Sequence, residues 1–183
     1  SCQGGGGTQP SALGASFILS LDPESQPLLL ESGSLTAASQ IGSSLVTADL
    51  NGDGMRQLVI GAPSAYAGPP EVTQTGVVYV VPNDVTGLDP ASALTIAGPD
   101  QYWSHLGTIV RRAGDFDGDG LSDLLASNSN ELMPSSNDFP GWPAIVQGAA
   151  GCETSSEEPT GAVRVYRGVS SGDLSTTPAA IIY

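Results

Sequence analysis

Residues 114–123 read GDFDGDGLSD, placing four aspartates and three glycines within ten positions. Carboxylates this close repel one another unless a cation sits among them or their charges splay into water. A second acidic stretch follows the same plan. One loop reads Asp49-Leu50-Asn51-Gly52-Asp53-Gly54-Met55-Arg56-Gln57, the other Asp115-Phe116-Asp117-Gly118-Asp119-Gly120-Leu121-Ser122-Asp123. Oxygen-bearing side chains recur at loop positions 1, 3, 5 and 9, with glycine at 6. A hard cation such as Ca²⁺ takes six to eight oxygens at roughly 2.3–2.6 Å on a flexible frame. Side chains at 1, 3 and 5 can curl round such an ion, and glycine at 6 permits the sharp turn. Position 7 offers a backbone carbonyl, and position 9 closes the shell. The expected ligands are therefore Asp49, Asn51, Asp53, Met55 and Gln57 in one loop. In the other they are Asp115, Asp117, Asp119, Leu121 and Asp123.

The spacing separates this pattern from other metal loops. An EF-hand needs a bidentate Glu at position 12 between two helices. Position 12 here is Ile60 or Ala126, inside an apolar run that reads as a strand. Zinc is disfavoured because the loops hold neither His nor Cys. Magnesium prefers fewer protein ligands and stricter octahedral geometry. The 115–123 loop carries four carboxylates and the 49–57 loop two, so the former is expected to bind Ca²⁺ more tightly.

The elements that must hold these loops repeat along the chain. Residues 41–63 (IGSSLVTADLNGDGMRQLVIGAP) and 106–128 (LGTIVRRAGDFDGDGLSDLLASN) are equal in length. Each runs from an apolar–Gly pair through a short alternating stretch and an acidic loop to an apolar run. The equal lengths predict a correspondence without gaps. A second unit, GVVYVVP (76–82), recurs as GAVRVYR (161–167) and more weakly as GASFILS (14–20). Glycine followed by alternating apolar residues reads as a half-buried strand. Each copy is followed by another short apolar piece: LLL (28–30), LTI (94–96) and AII (180–182). Four short strands per repeat is what a β-propeller blade requires. The expected fold is all-β, with propeller blades of four antiparallel strands and about two and a half blades in residues 14–183. A two-sheet sandwich is the alternative. The segment 130–160, rich in Ser, Pro and Gly and carrying Trp142 and Cys152, lengthens the second repeat and reads as a surface insertion.

These motifs resemble the FG-GAP repeat, the blade of the integrin α-subunit head and of many bacterial surface proteins. Ile41-Gly42 and Leu106-Gly107 stand where Phe-Gly is usual, and Gly61-Ala62-Pro63 matches Gly-Ala-Pro. Ala126-Ser127-Asn128 departs from it, and Gln57 replaces the usual final Asp. The resemblance implies a propeller, usually of seven blades, stiffened by structural Ca²⁺ in loops at one face. Two and a half blades do not close such a ring, so the chain is expected to be the N-terminal part of a longer protein.

The bulk numbers bound the partners. The 183 residues carry 19 acidic and 5 basic side chains, for a net charge of -14. That balance repels phosphate backbones and argues against nucleic acid. Residues 1–13 (SCQGGGGTQPSAL) read as a flexible tether. Cys2 near the N-terminus resembles the acylated residue of a bacterial lipoprotein, with a Cys2–Cys152 disulfide as the alternative. Membrane contact is expected only through a lipid on Cys2, and the location is expected to be extracellular or cell-surface, on an outer-membrane lipoprotein. No catalytic constellation is evident. His105 is the only histidine and is expected to pack or to face solvent. Cys152 lies near Glu153, Glu157 and Glu158, a setting that disfavours a reactive thiolate. Tyr102, Trp103 and Trp142 are expected as buried propeller aromatics, with a carbohydrate or protein contact as the alternative. The expected role is non-catalytic, in adhesion or in recognition of an unknown protein or glycan. A scaffold part of a larger phospholipase-like or polysaccharide-active enzyme is the second reading.

Overall fold

The computed structural model describes residues 17–18, 28–29, 39–65, 74–99, 103–130, 161–170 and 174–182. The tether, Cys2, Cys152, Tyr102, Trp142 and nearly all of the 130–160 insertion lie outside them. The described residues are built from strands, with a single 3-10 turn at Pro90–Ser92. Among them no helix is long and apolar enough to cross a membrane.

Two antiparallel meanders of four strands dominate. The first comprises β3 (Ser44–Ala48), β4 (Gln57–Ala62), β5 (Val77–Val81) and β8 (Leu94–Ala97), paired in that order. The second comprises β9 (Leu106–Gly114), β10 (Asp123–Asn128), β11 (Ala162–Tyr166) and β12 (Ala180–Ile182). These are the four strands per repeat expected from the sequence, including the short LTI and AII pieces. Between β5 and β8 lies a small hairpin, β6 (Asn83–Asp84) and β7 (Gly87–Leu88). Upstream, β1 (Phe17–Ile18) pairs antiparallel with β2 (Leu28–Leu29), within the GASFILS and LLL pieces.

The repeats do not correspond without a gap. In the first sheet β3 and β4 pair residue for residue, from Ser44↔Gly61 to Ala48↔Gln57. In the second, Asp123 pairs with Gly114 but Leu124 with Arg112, so Ala113 is an extra residue in β9. It forms a β-bulge. Asp49 is thus the ninth residue of its segment and Asp115 the tenth, although both open their loops. A second register shift, between Ala126 and Asn128, lies at the other end of the pair.

The sheets pack face to face. Alternation along β4, β5 and β8 sends Val59, Val78, Val80 and Ile96 into one core, where they meet Leu106, Val110, Leu124, Ala126 and Tyr166 of the second sheet. The opposite parity sends Ile60, Ala62, Val77, Tyr79 and Val81 into a second cluster on the far side of the first sheet. All five residues of β5 are buried as a result. The half-buried strand expected at 76–82 is therefore a strand covered on both faces, which is why its run is continuously apolar.

Close backbone approach sets the spacing. A Cβ on Gly61 would collide with the Gly107 carbonyl. Gly107 itself has φ +89, a conformation that disfavours side chains. The first-repeat Gly-Ala-Pro and the second-repeat apolar–Gly pair are thus two sides of one contact. Ser43 and Ser44 reinforce the seam: the Val110 N–H donates to Ser44 Oγ at 3.0 Å.

Gly61→Ala is expected to cost about 3 kcal/mol or more in urea unfolding, because backbone must move. Gly114→Ala meets open space at φ +77 and is expected to cost only about 1–2 kcal/mol of backbone strain. Equal losses would show that the Gly61–Gly107 contact does not control the packing.

Candidate metal site and the opposite blade ends

Both acidic loops connect the first and second strands of their sheets, β3 to β4 and β9 to β10. They fold by the same hydrogen bonds. Asp49 Oδ1 accepts the Gly52 N–H at 2.7 Å, and Asp49 Oδ2 the Gly54 N–H at 3.1 Å. Asp115 does the same for Gly118 and Gly120, at 2.7 and 3.0 Å. Asn51 Oδ1 and Asp117 Oδ1 accept the N–H two residues on, from Asp53 and Asp119. Asp53 Oδ1 and Asp119 Oδ1 accept from Met55 and Leu121, at 2.7 and 2.8 Å. Such Asx-type bonds make the turn without help from neighbouring strands.

Position 9 ties each loop to its base. Gln57 is buried, and its Oε1 accepts the Leu50 N–H at 2.8 Å. Asp123 is fully buried, and its Oδ2 accepts the Phe116 N–H at 2.7 Å. Gln57 therefore reproduces the structural bond of Asp123 without its charge. Asp123 Oδ1 also accepts the Gly168 N–H at 2.9 Å, from the segment after β11. A fully buried carboxylate needs strong donors or a nearby positive charge, and these two N–H groups supply part of that requirement.

Oxygens of Asp115, Asp117 and Asp123 converge to within 4.8 Å of one another. The donor set, all carboxylate and close together, fits a hard divalent cation. Asp119 stands outside this trio, with its Oδ1 turned to the Leu121 N–H. The 49–57 loop has the same turn but only two carboxylates, Asp49 and Asp53, beside the amides of Asn51 and Gln57. Sequence reasoning missed a cation within the protein: Arg167 Nε lies 3.0 Å from Asp117 Oδ2. Its only signal was a lone arginine at the end of a strand.

The first loop is also built into the second sheet. Ser122 N–H donates to the Asp49 carbonyl at 3.3 Å, and Val169 N–H to the Leu50 carbonyl at 2.9 Å. The Leu50 side chain is buried in the core between the sheets, whereas Phe116, its counterpart, is 63% exposed.

The opposite ends of the strands carry a different group. Four non-glycine residues among those described have positive φ, and three of them gather here: Gln74 (φ 56), Trp103 (φ 63) and His105 (φ 58). Each such residue costs about 1–2 kcal/mol relative to ordinary backbone. Hydrogen bonds hold the arrangement. Leu106 N–H and Ser104 Oγ both donate to the Thr75 carbonyl, at 3.0 and 2.7 Å, and His105 N–H donates to the Gln74 carbonyl at 3.2 Å. With its proton on Nε2, His105 donates to Gln74 Oε1 at 3.0 Å. Ser129 Oγ is 3.5 Å from Nδ1. Trp103 is not buried, as the sequence led us to expect, but 50% exposed. Its ring meets the His105 ring in a T-shaped arrangement, with centroids 6.2 Å apart.

Residues 41–81, which span β3, the 49–57 loop, β4 and β5, match the FG-GAP repeat. That stretch, 41 of the 183 residues, is similar to one FG-GAP repeat. The chain's two four-stranded sheets are propeller blades, and the second has the same strand order and loop position. Integrin alpha-4 of Xenopus laevis is 29% identical over 127 residues, covering 69% of this chain and 12% of that protein. Phosphatidylinositol-glycan-specific phospholipase D of Rattus norvegicus is 36% identical over 111 residues, covering 60% and 12%. Integrin alpha-3 of Cricetulus griseus is 32% identical over 117 residues, covering 61% and 10%. The chain thus spans only about an eighth or less of the length of these curated relatives.

Two outcomes test the site. Asp123→Asn places an amide N–H₂ beside backbone donors and should cost about 1–3 kcal/mol in chemical unfolding even under chelator. No loss would mean that Asp123 does not anchor the loop. Burial lowers the His105 imidazole from its ordinary value of 6.5. Its contribution to stability is complete above that value and declines as pH falls through it. His105→Gln should therefore flatten the unfolding midpoint between about pH 7 and pH 5. An unchanged slope would remove His105 from the acid response.

Proposed function

We propose that this chain is a calcium-stabilised segment of an extracellular β-propeller that serves recognition or adhesion and performs no catalysis of its own. The observation that carries the reading is the pair of FG-GAP-like blades with identically folded acidic loops. Asp115, Asp117 and Asp123 would hold the cation of the second loop, with Asp119 and the Leu121 carbonyl available beside them. Asp49, Asn51, Asp53, Gln57 and the Met55 carbonyl would serve the first, more weakly because it has fewer charges. The ion supplies positive charge that relieves carboxylate repulsion, so its role is structural. Similarity to integrin alpha chains supports an extracellular setting; the partner would be a protein or a glycan. Nucleic acid is disfavoured by the charge of -14.

A second reading is favoured by one finding, the similarity to phosphatidylinositol-glycan-specific phospholipase D of rat and mouse. There the chain would be a scaffold within a larger extracellular enzyme, and the full reading frame would contain a separate catalytic domain. A lipid on Cys2 would place either form at a bacterial surface, which mass spectrometry of the native protein would detect.

The deciding experiment is thermal unfolding in Ca²⁺, in Mg²⁺ and in chelator, for the parent and for Asp117→Asn. At a Ca²⁺ concentration about 100 times the dissociation constant, binding adds about 2.7 kcal/mol. That corresponds to a midpoint rise of about 5–11 °C for a chain of this size. Ca²⁺ should produce the rise, Mg²⁺ should produce less, and Asp117→Asn should lose most of it. Coincident traces in all three conditions would reduce the loops to self-contained Asx turns.

A further inference from the structure

We infer that the blade ends opposite the acidic loops form a binding site for neutral pyranose sugars, with Trp103 as the stacking platform. The inference rests on the recognition reading above and names its ligand class. Trp103 is half-exposed in a backbone conformation that tryptophan rarely adopts, and nearby Gln74 shares it; His105 does too, but that angle belongs to the repeat, since Gln40 before Ile41-Gly42 has it as well. Strain of this kind persists where the surroundings over-determine it, and it concentrates at functional sites. Here the Ser104 and Leu106 hydrogen bonds to the Thr75 carbonyl supply that determination.

The chemistry around the indole is neutral and directional. His105 is fixed between Gln74 and Ser129, and engaging Gln74 Oε1 orients the Gln74 amide. Ser129 also borders an open cavity of about 410 Å³, whose wall includes Ser127, Asn128, Gly161, Val163 and Ile182. Asn128 contributes to that wall, but its carboxamide is enclosed behind it rather than open to the cavity. None of these residues is charged. An apolar aromatic face flanked by hydroxyl and amide groups suits a ligand with one C–H face and a rim of hydroxyls. An anionic sugar would meet the acidic surface of the chain. A protein partner would anchor on Trp103 as well, but it would not need the neutral hydrogen-bonding rim.

The test is tryptophan fluorescence of a Trp142→Phe background, in which Trp103 is the sole reporter. The probes are methyl glycosides of glucose, galactose, mannose and N-acetylglucosamine, and short oligosaccharides of each. One stacked monosaccharide should bind with a dissociation constant on the order of 1 mM. A saturable change with at least one probe is expected. In isothermal calorimetry, Trp103→Ala should abolish the binding, while Gln74→Ala should weaken it about tenfold. Both variants should keep the Ca²⁺-dependent midpoint of the parent, which separates lost binding from lost folding. No saturable response to any probe overturns the sugar assignment. Sugar binding that survives Trp103→Ala overturns the site. Calcium-dependent binding to an array of extracellular proteins, with no response to sugars, would also overturn this inference while leaving the recognition reading intact. Blank sugar and protein arrays together would remove both.

Discussion

The carbonyl of Gly107 lies where a side chain on Gly61 would have to be, and the remaining packing follows from that contact. It brings two four-stranded sheets close enough for Val59, Val78, Val80 and Ile96 to reach Leu106, Val110, Leu124 and Tyr166 without a gap. A β-sheet of short strands is marginal alone, because one face remains wet. Stacking makes each sheet the cover of the next, and β5, buried along its whole length, shows the result. Wider spacing at the seam would open the core and also break the Ser44–Val110 bond that runs across it.

The same stacking carries the acidic loops. Each loop makes its own turn by internal aspartate–backbone bonds, so its shape is largely local. Its placement is not. The 49–57 loop is fastened to the second blade through the carbonyls of Asp49 and Leu50, and Leu50 is buried there. A cation that rigidifies one loop would therefore stiffen the seam as well as the turn. The clustering of Asp115, Asp117 and Asp123 joins residues of a loop to a residue that opens β10, so loop order and strand order are coupled.

The two ends of the blades differ in kind. One end is acidic and suited to an ion. The other holds Gln74, Trp103 and His105 in left-handed backbone around a neutral hydrogen-bonded group. The loops at either end can vary without disturbing the sheets between them.

Much of this was legible in the sequence because its causes are local. Alternating apolar residues, the acidic loops at matching places and the short fourth strands all depend on neighbours within a few positions, and the four-stranded blades follow from them. The register did not: equal segment lengths hid the extra Ala113, which only pairing of β9 with β10 exposes as a bulge. Burial of β5 on both faces required a second sheet, which no single strand encodes. Exposure of Trp103 could not be read from its type, and the residues after it, Ser104 to Leu106, are bonded to Gln74 and Thr75, about thirty residues away. The ion pair of Arg167 with Asp117 likewise joins residues fifty positions apart. Sequence alone thus determined the repeating unit and the chemistry of its loops. The tertiary structure decided which faces are covered, which carboxylates meet and which aromatic ring faces solvent, because those depend on how one blade lies against the next.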